Sequence, residues 1–150
     1  MLAMLERHGK GMRWFRPLSA YATVIEEAML LLATLRLADD AAFLTRELPY
    51  GKQRLVEIAL ALATKPKILL LDEPAAGIPA DQSAELFEVI ANLPHDVTVL
   101  FVEHDMNLVF RFAERITVLV GGRVLTQGTP EQIAADHRVR EVYLGEAVDD

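Results

Sequence analysis

The fold is decided by one stretch of sequence, Lys67-Ile68-Leu69-Leu70-Leu71-Asp72-Glu73-Pro74. An unbroken apolar run bounded by prolines is typical of a strand that is buried on both faces of a parallel sheet. In open parallel sheets, ligands bind outside the carboxyl ends of the strands. We therefore predict a buried central strand whose end places two carboxylates at a ligand site. An isolated Asp-Glu pair more often ends a strand in a solvated turn, so the residues around it must decide.

A second strand is predicted over the β-branched, apolar residues 97–102, and a helix with an apolar stripe precedes it. A strand, a crossover helix and a strand make a βαβ unit with parallel strands. The second strand runs directly into His104, so this imidazole should lie at the same sheet edge as Asp72 and Glu73. A lone histidine would more simply be a surface or core residue, and the carboxylate pair is what favours a functional one.

The region before the central strand is predicted to be helical. Residues 23–37 place apolar side chains at the spacing of one helix face, a short helix over 41–46 is plausible, and a further helix covers 53–64. A glycine-containing turn opens that last helix, where an anion could approach backbone N–H groups and the helix dipole favours negative charge. Taken alone this is a weak phosphate signal. The turn consists of Leu48, Pro49, Tyr50, Gly51, Lys52 and Gln53.

After the second strand, the sequence predicts a series of short helices and strands. The sequence predicts a helix over 106–113, a β-hairpin over 116–127 that turns at Gly121-Gly122, and a last short helix over 139–144. Thr129 begins another helix, with proline in its first turn and glutamine three residues after the cap.

Composition excludes several classes of protein. With 52% hydrophobic residues in a chain of 150, the protein is globular and not disordered. The chain contains no cysteine, which excludes a disulfide framework and a thiolate metal site. A net charge of −7 argues against a general nucleic-acid binder, so no nucleic-acid partner is expected.

Taken together, these residues resemble the ATP-binding subunits of ABC transporters, from about residue 23 onward. Four elements occur in the family's order. Residues 48–53 resemble the signature loop, and 68–73 resemble the Walker B strand with its adjoining glutamate. Residues 74–79 lie where the D-loop is expected, and His104 stands at the switch histidine. The residues Ala75-Ala76-Gly77 and 142–146 look most like the branched-chain amino-acid uptake subfamily, although urea or amide importers are similar.

The resemblance implies an α/β fold. It would be an incomplete P-loop NTPase core of the ABC type, with parallel strands, a C-terminal β-hairpin and an N-terminal helical subdomain. Residues 1–65 would form the helical subdomain with the signature loop and signature helix. Residues 66–150 would form the rear part of the α/β core with a C-terminal helical tail.

The resemblance also implies roles for the site residues, with ATP and Mg²⁺ as cofactors. Asp72 would hold Mg²⁺ through a water, since a hard cation prefers oxygen ligands. Glu73 would orient or deprotonate the attacking water in phosphoryl transfer, and His104 would contact the γ-phosphate.

Other roles belong to an assembly. The signature loop, from Leu48 to Gln53, would meet ATP held by a second ATP-binding subunit in a head-to-tail homo- or heterodimer. The D-loop residues Gly77, Ile78 and Pro79 would lie at the same interface. The implied further partners are transmembrane permease subunits, and the implied location is peripheral, on the cytoplasmic face of the inner membrane.

The sequence departs from the family pattern in three places. It contains no Gly-x-x-x-x-Gly-Lys-Ser/Thr stretch, which supplies most phosphate contacts. Pro49 stands where the family usually has serine, and Pro79 where many members have aspartate. The chain thus looks like the rear portion of such a subunit, and alone it should bind ATP weakly or not at all.

Two structural and functional alternatives follow from the missing loop. The phosphate-loop strand of the family lies between the strand before His104 and the strand starting at Ile116. Without it, either those strands pair directly or a sheet edge stays open. Functionally, the chain could be a non-catalytic interaction module that docks on the transmembrane subunit or an intact ATPase partner, or a nonfunctional remnant.

Overall fold

The computed structural model describes Met4, Arg7 and residues 21–144, and it divides into two compact units, Met1–Val102 and Glu103–Asp150. Residues 145 and 146 of the subfamily-like ending lie outside the described residues. Within the described ranges, no helix is both long and apolar enough to cross a membrane.

Over residues 21–102, the first unit contains three α-helices and two strands. Helix α1 spans Ala22–Thr34, α2 spans Tyr50–Leu62 and α3 spans Ala80–Ala91, while β1 spans Ile68–Asp72 and β2 spans Thr98–Val102.

The loop between α1 and α2 contains two 3₁₀ turns, Ala38–Asp40 and Thr45–Glu47. The prediction of a short helix over 41–46 is wrong, because the first 3₁₀ turn ends at Asp40 and the second begins only at Thr45.

The predicted βαβ unit is confirmed. Strands β1 and β2 pair in parallel with a continuous register, from Ile68 opposite Thr98 to Asp72 opposite Val102. Helix α3 forms the crossover between them. Among the described residues β2 has β1 as its strand partner and does not pair with the strand that starts at Ile116, so of the two alternatives the structure fits the open sheet edge.

One core connects the helices of the first unit to the sheet. Leu69 of β1 is 4% exposed and shares this core with Leu55 of α2 and Leu86 of α3. Phe87 also meets Phe101 of β2 edge-to-face, with ring centroids 5.1 Å apart. The core therefore includes residues on both sides of the predicted subdomain boundary at 65/66, which stays a prediction.

The second face of the sheet is exposed. Leu70 is 69% exposed although its neighbour Leu69 is buried, and Leu100, opposite Leu70 in β2, is 59% exposed. The prediction of a strand buried on both faces is therefore wrong for this chain. The reason is that α2 and α3 share a core with the Leu69 side only.

The second unit contains the hairpin. Helix α4 spans Met106–Phe112, strands β3 and β4 span Ile116–Val120 and Arg123–Gly128, and α5 spans Pro130–Ala135. The strands are antiparallel with an irregularity between Val118 and Leu119.

Local chemistry explains where these elements turn and begin. Gly121 and Gly122 both have positive φ, as a two-residue hairpin turn requires. The predicted capping box at Thr129 is confirmed.

The end of the described chain is helical but less regular than predicted. A three-residue helix, α6 (His137–Val139), passes into a π-helical turn, Arg140–Leu144, where the sequence predicts one helix over 139–144. Asp136 caps α6 by accepting a hydrogen bond from the Arg138 backbone N–H.

Candidate functional site

The two predicted carboxylates stand at the carboxyl end of β1. Asp72 is the last strand residue and Glu73 follows it, and both are exposed. The Glu73 N–H donates a 2.9 Å hydrogen bond to the Val102 carbonyl oxygen, which continues the pairing beyond the last register position. The ends of both parallel strands are thereby tied together at Glu73.

Glu73 has an unusual backbone conformation. Its φ is 43°, in the left-handed region that L-residues rarely adopt. This conformation costs on the order of 1–2 kcal/mol for a residue with a Cβ. Its N–H bonds to Val102, and its carbonyl oxygen accepts a 3.0 Å bond from the Ala76 N–H. Strained residues that neighbouring bonds hold in place cluster at functional sites.

The carboxylates suit a magnesium ion that is shared with phosphate. Among the described residues, no group of three or more His, Asp or Glu side chains could hold a metal ion by itself. Mg²⁺ keeps several waters and is usually held by one or two carboxylates plus substrate phosphates. Asp72 with Glu73 beside it fits that donor set, because one carboxylate can accept a hydrogen bond from a water on the ion while phosphate oxygens and further waters act as the direct ligands.

His104 lies in the second unit, between β2 and α4. Its side chain is 74% exposed, and Nδ1 is 4.0 Å from Oε2 of Glu103, whose own side chain is 2% exposed. Asp105 next to it caps α4 by accepting a hydrogen bond from the Asn107 N–H. Its predicted grouping with Asp72 and Glu73 stays a prediction, because these residues belong to different compact units.

The glycine-containing turn opens α2 three residues earlier than predicted. The helix begins at Tyr50 with Pro49 as its N-cap, whereas the sequence predicts a start at Gln53. Proline at the cap offers no side-chain acceptor, so no side chain caps the first N–H groups of α2. These are the groups that bind anions at helix starts.

Two side chains of the turn hold its shape. Gln53 Nε2 donates a 2.8 Å hydrogen bond to the carbonyl oxygen of Leu48. Leu48 is a buried residue. Lys52 Nζ lies 2.6 Å from Oδ2 of Asp40 in the preceding loop. The Lys52 cation is thus paired within the first unit.

Gly51 and Gly77 bring the turn against the loop after β1. A Cβ on Gly51 would lie 3.6 Å from Oε1 of Gln82 and 3.9 Å from Cγ2 of Ile78. Gly77 has a φ of 76°, and a Cβ there would lie 3.5 Å from Cε1 of Tyr50. The structure therefore brings together two of the segments that the sequence predicts to bind nucleotide.

The loop itself leads into α3. The N–H of Ile78 donates to the Ala75 carbonyl oxygen at 3.0 Å, and Pro79 is the N-cap residue of α3. Ser83 Oγ donates back to the carbonyl oxygens of Ile78 and Pro79. Gly77, Ile78 and Pro79 are thus held as one ordered turn.

Arg54 is a site residue that the sequence reasoning missed. Its guanidinium donates to the Tyr50 hydroxyl and to Oε2 of Glu57, each at 2.7 Å, and lies 5.1 Å from the Tyr50 ring centroid. The hydrogen bond to Glu57 raises the pKa of Arg54. Its Nε is buried without a hydrogen bond, at a cleft of about 250 Å³ that Asp72 also lines. The i,i+4 and i,i+3 spacings to Tyr50 and Glu57 were the available signal.

Two models of known families match the chain. An ABC transporter model matches residues 7–76, which include the turn and the carboxylate pair. A model of a branched-chain amino acid ATP-binding cassette transporter matches residues 123–149, at the other end of the chain.

The names of curated relatives also describe ATP-binding proteins of branched-chain amino acid transport. The chain is 43% identical over 130 residues to the high-affinity branched-chain amino acid transport ATP-binding protein LivG of Escherichia coli, covering 85% of this chain and 51% of that protein. It is 49% identical over 102 residues to BraF of Pseudomonas aeruginosa, which has the same description, covering 67% of this chain and 40% of BraF. The chain thus spans about half the length of the curated relatives it matches.

The fold matches solved structures as well. An ATP-binding cassette of an ABC transporter in its ADP conformation superposes with a TM-score of 0.74 at 27% identity, covering 97% of this chain and 62% of that one. The predicted fold class is therefore confirmed.

Proposed function

Because the chain belongs to the family of ATP-binding subunits of ABC transporters, we propose that it supplies the rear half of an ATPase that powers uptake of branched-chain amino acids. One observation carries the proposal. Asp72 and the strained Glu73 sit at the carboxyl end of a parallel strand, where nucleotide chemistry is expected. The names of the relatives support the choice of substrate.

The two carboxylates have different roles in hydrolysis. ATP is the substrate that carries the phosphoryl group, and Mg²⁺, when bound, would supply positive charge that offsets the negative charge developing on that group. Asp72 would hold the ion through a water. Glu73 accepts a hydrogen bond from the attacking water and takes its proton as the new bond to the γ-phosphorus forms; the bond from that phosphorus to the bridging oxygen breaks, and ADP leaves with the electron pair. The left-handed backbone of Glu73 fixes the direction of this side chain relative to the strand end. His104 contacts the γ-phosphate from the segment after β2.

A second subunit completes the site. In a head-to-tail homo- or heterodimer, residues 48–53 approach the γ-phosphate bound by the partner, with the N–H groups at the start of α2 as donors. The packing of Gly51 against Ile78 and Gln82 supports a shared role for this turn and the loop at Gly77, Ile78 and Pro79. Pro49 has no hydroxyl, so the backbone must supply contacts that serine would otherwise make.

Transport also requires permease subunits. We place the chain on the cytoplasmic face of the inner membrane as a peripheral subunit that docks on them. Large apolar side chains exposed in the helical region support such a docking role. They are Met29, Leu30, Phe43 and Leu44, which are 41–70% exposed.

A chimera tests the proposed function. This chain would replace the matched half of the Escherichia coli relative, and Mg-ATP hydrolysis and leucine uptake would be measured with that transporter's own permease subunits. We expect both activities, and we expect Glu73→Gln to abolish both. A chimera that folds and assembles but neither hydrolyses ATP nor transports leucine would refute the proposal.

A second candidate is a non-catalytic interaction module, which would need only the turn at residues 48–53 and its packing against the loop after β1. Such a module would present residues 48–53 to an intact homologous subunit and change its ATPase rate on mixing. Gly51→Asp should remove that change, because a carboxylate would enter the packed contact with Gln82 and repel phosphate. An inactive chimera together with this effect would favour the module over the ATPase.

A further inference from the structure

Arg54 holds the aromatic ring at the start of α2 in one orientation. Its guanidinium donates a 2.7 Å hydrogen bond to the Tyr50 hydroxyl and lies 5.1 Å from the centroid of the same ring. Tyr50 is 43% exposed, and an exposed aromatic side chain would otherwise be free to change rotamer. The hydrogen bond at the hydroxyl and the cation–π contact on the ring together select one rotamer.

The Arg54 side chain is fixed by protein partners and not by water. A second guanidinium nitrogen donates to Oε2 of Glu57 at 2.7 Å, about one turn further along α2. The Nε atom is buried and makes no hydrogen bond, which is an unfavourable state for a donor. An arginine on a helix surface usually extends its charged end into water. The bonds to Tyr50 and Glu57 therefore outweigh the loss at Nε and keep the guanidinium in place.

The Tyr50 ring in turn contacts the loop after β1. A Cβ built on Gly77 would lie 3.5 Å from Cε1 of Tyr50, so the ring lies against this loop at a residue without a side chain. The neighbouring Gly51 packs against Gln82 of α3, since a Cβ there would lie 3.6 Å from Oε1 of Gln82. Two adjacent contacts thus join the turn to the loop and to the helix that follows it.

We infer that Arg54 is a positioning residue for hydrolysis, a role that rests on the proposed function. It holds the Tyr50 ring against Gly77 and so couples two segments, the turn at residues 48–53 and the loop at residues 77–79. Both segments approach ATP held by the partner subunit. Because they are joined through the ring, contacts that order one segment also order the other. Arg54 acts through Tyr50 and needs no contact of its own with ATP.

Hydrogen exchange of the full chain, followed by NMR without nucleotide, tests the coupling. The reporter is the Ile78 N–H, which donates a 3.0 Å hydrogen bond to the Ala75 carbonyl oxygen within the loop. Arg54→Met keeps an unbranched apolar side chain on α2 but removes every donor. We expect Ile78 to exchange about tenfold faster in this variant, because a hydrogen bond from a charged group no longer fixes the ring. An unchanged exchange rate would overturn the inference.

Glu57→Ala separates the positioning role from simple stabilisation of α2. It removes the second partner of Arg54 and leaves the bond to Tyr50, so Ile78 should exchange within about twofold of its unaltered rate. Equal acceleration by Glu57→Ala and Arg54→Met would show that Arg54 only stabilises the helix, and it would overturn the inference.

Arg111→Met is the matched control for the loss of an arginine. Arg111 also lies over an aromatic ring, 4.9 Å from the centroid of Phe112, but on α4. This variant should leave the exchange of Ile78 unchanged. Far-UV circular dichroism should show all three variants folded. Acceleration at Ile78 in Arg111→Met as well would mean that the effect is not specific to Arg54 and would overturn the inference.

ATPase rates of the chimera test whether the coupling serves hydrolysis. Tyr50→Phe keeps the ring but removes the hydroxyl that accepts the bond from Arg54. We expect Arg54→Met and Tyr50→Phe each to lower kcat by about tenfold. The double variant should be no slower than Arg54→Met alone, because both changes remove the same bond. Losses that multiply would show that Arg54 acts independently of the Tyr50 hydroxyl and would overturn the assigned role.

The coupling and the proposed function can fail separately. Faster Ile78 exchange in Arg54→Met, together with an unaltered chimera that is inactive, would contradict the proposed function and the role in hydrolysis but leave the coupling of the two segments standing. An active chimera whose kcat is unchanged by Arg54→Met would support the proposed function and overturn the positioning role.

Discussion

The N–H of Glu73 donates a 2.9 Å hydrogen bond to the carbonyl oxygen of Val102, the last residue of the neighbouring strand. This bond joins a left-handed backbone position to the end of a regular parallel ladder. The carboxylate proposed to act on water is therefore fixed at its backbone, although its side chain is exposed. The first two predictions separate these two properties of Glu73.

Glu73→Gln should remove hydrolysis without changing stability. Glutamine keeps the size and chirality of the side chain but cannot accept a proton, and loss of a general base costs about 10²–10⁴-fold in rate. Steady-state ATPase assays of the chimera check this, with exposed Glu85→Gln on α3 as the control. A Glu73→Gln chimera that retains more than a tenth of the rate would contradict the assigned role.

Glu73→Gly should raise the free energy of unfolding by up to about 1 kcal/mol, since glycine adopts positive φ without the Cβ clash. Urea unfolding of the full chain measures this. Arg36 has a φ of 58° and serves as the control, so Arg36→Gly should stabilise the chain similarly and leave chimera ATPase activity intact. If Glu73→Gly lowers stability while Arg36→Gly raises it, the side chain of Glu73 and not its backbone strain dominates.

Neighbouring leucines on opposite sheet faces should respond differently to truncation. Leu69→Ala removes a core side chain that is 4% exposed and should cost about 2–5 kcal/mol. Leu70→Ala removes one that is 69% exposed and should change stability by less than about 0.5 kcal/mol in the isolated chain. Urea midpoints of the two variants give the comparison directly. Equal losses would mean that both faces are packed in solution.

Gly128→Ala should destabilise the hairpin-to-helix junction. A Cβ there would lie 2.6 Å from Oε1 of Gln132 and 3.0 Å from its Cβ, so the glutamine side chain must leave. That side chain accepts the Thr129 N–H at 3.0 Å in the capping box, whose loss costs about 1 kcal/mol.

A double-mutant cycle with Gln132→Ala checks the mechanism for Gly128. Once the glutamine amide is absent, adding Gly128→Ala should cost less than it does in the unaltered chain, because only the 3.0 Å contact with the Cβ at position 132 remains. Thermal unfolding of the four proteins measures the coupling. Additive losses would show that the alanine acts through something other than this side chain.

Periodicity and motif chemistry were sufficient for much of the fold. The βαβ unit, the glycine hairpin turn and the Thr129 capping box depend on residues close together in the chain, and the structure confirms them. The start of α2 was predicted late because Pro49 and Gly51 look like helix breakers, yet proline is tolerated at a helix end and glycine in its first turn.

Other features depend on contacts between distant segments and could not be predicted. The pairing of Lys52 with Asp40 joins residues 12 positions apart in the numbering, and the packing of Gly51 on Gln82 joins residues 31 positions apart. The spacing of Arg54 from Tyr50 and Glu57 on one helix face was only weak evidence for a role. No feature of the neighbouring sequence predicted that its Nε is buried.

The amino-acid sequence by itself determined the order of elements, the parallel pairing and the placement of Asp72 and Glu73 at a strand end, because these follow from local periodicity and the geometry of a βαβ unit. Only the tertiary structure decided which face of β1 is packed and that Glu73 takes a left-handed conformation. An apolar run has the same sequence pattern whether one face or both faces of the strand are packed. Backbone strain depends on hydrogen bonds from segments that are distant in the sequence.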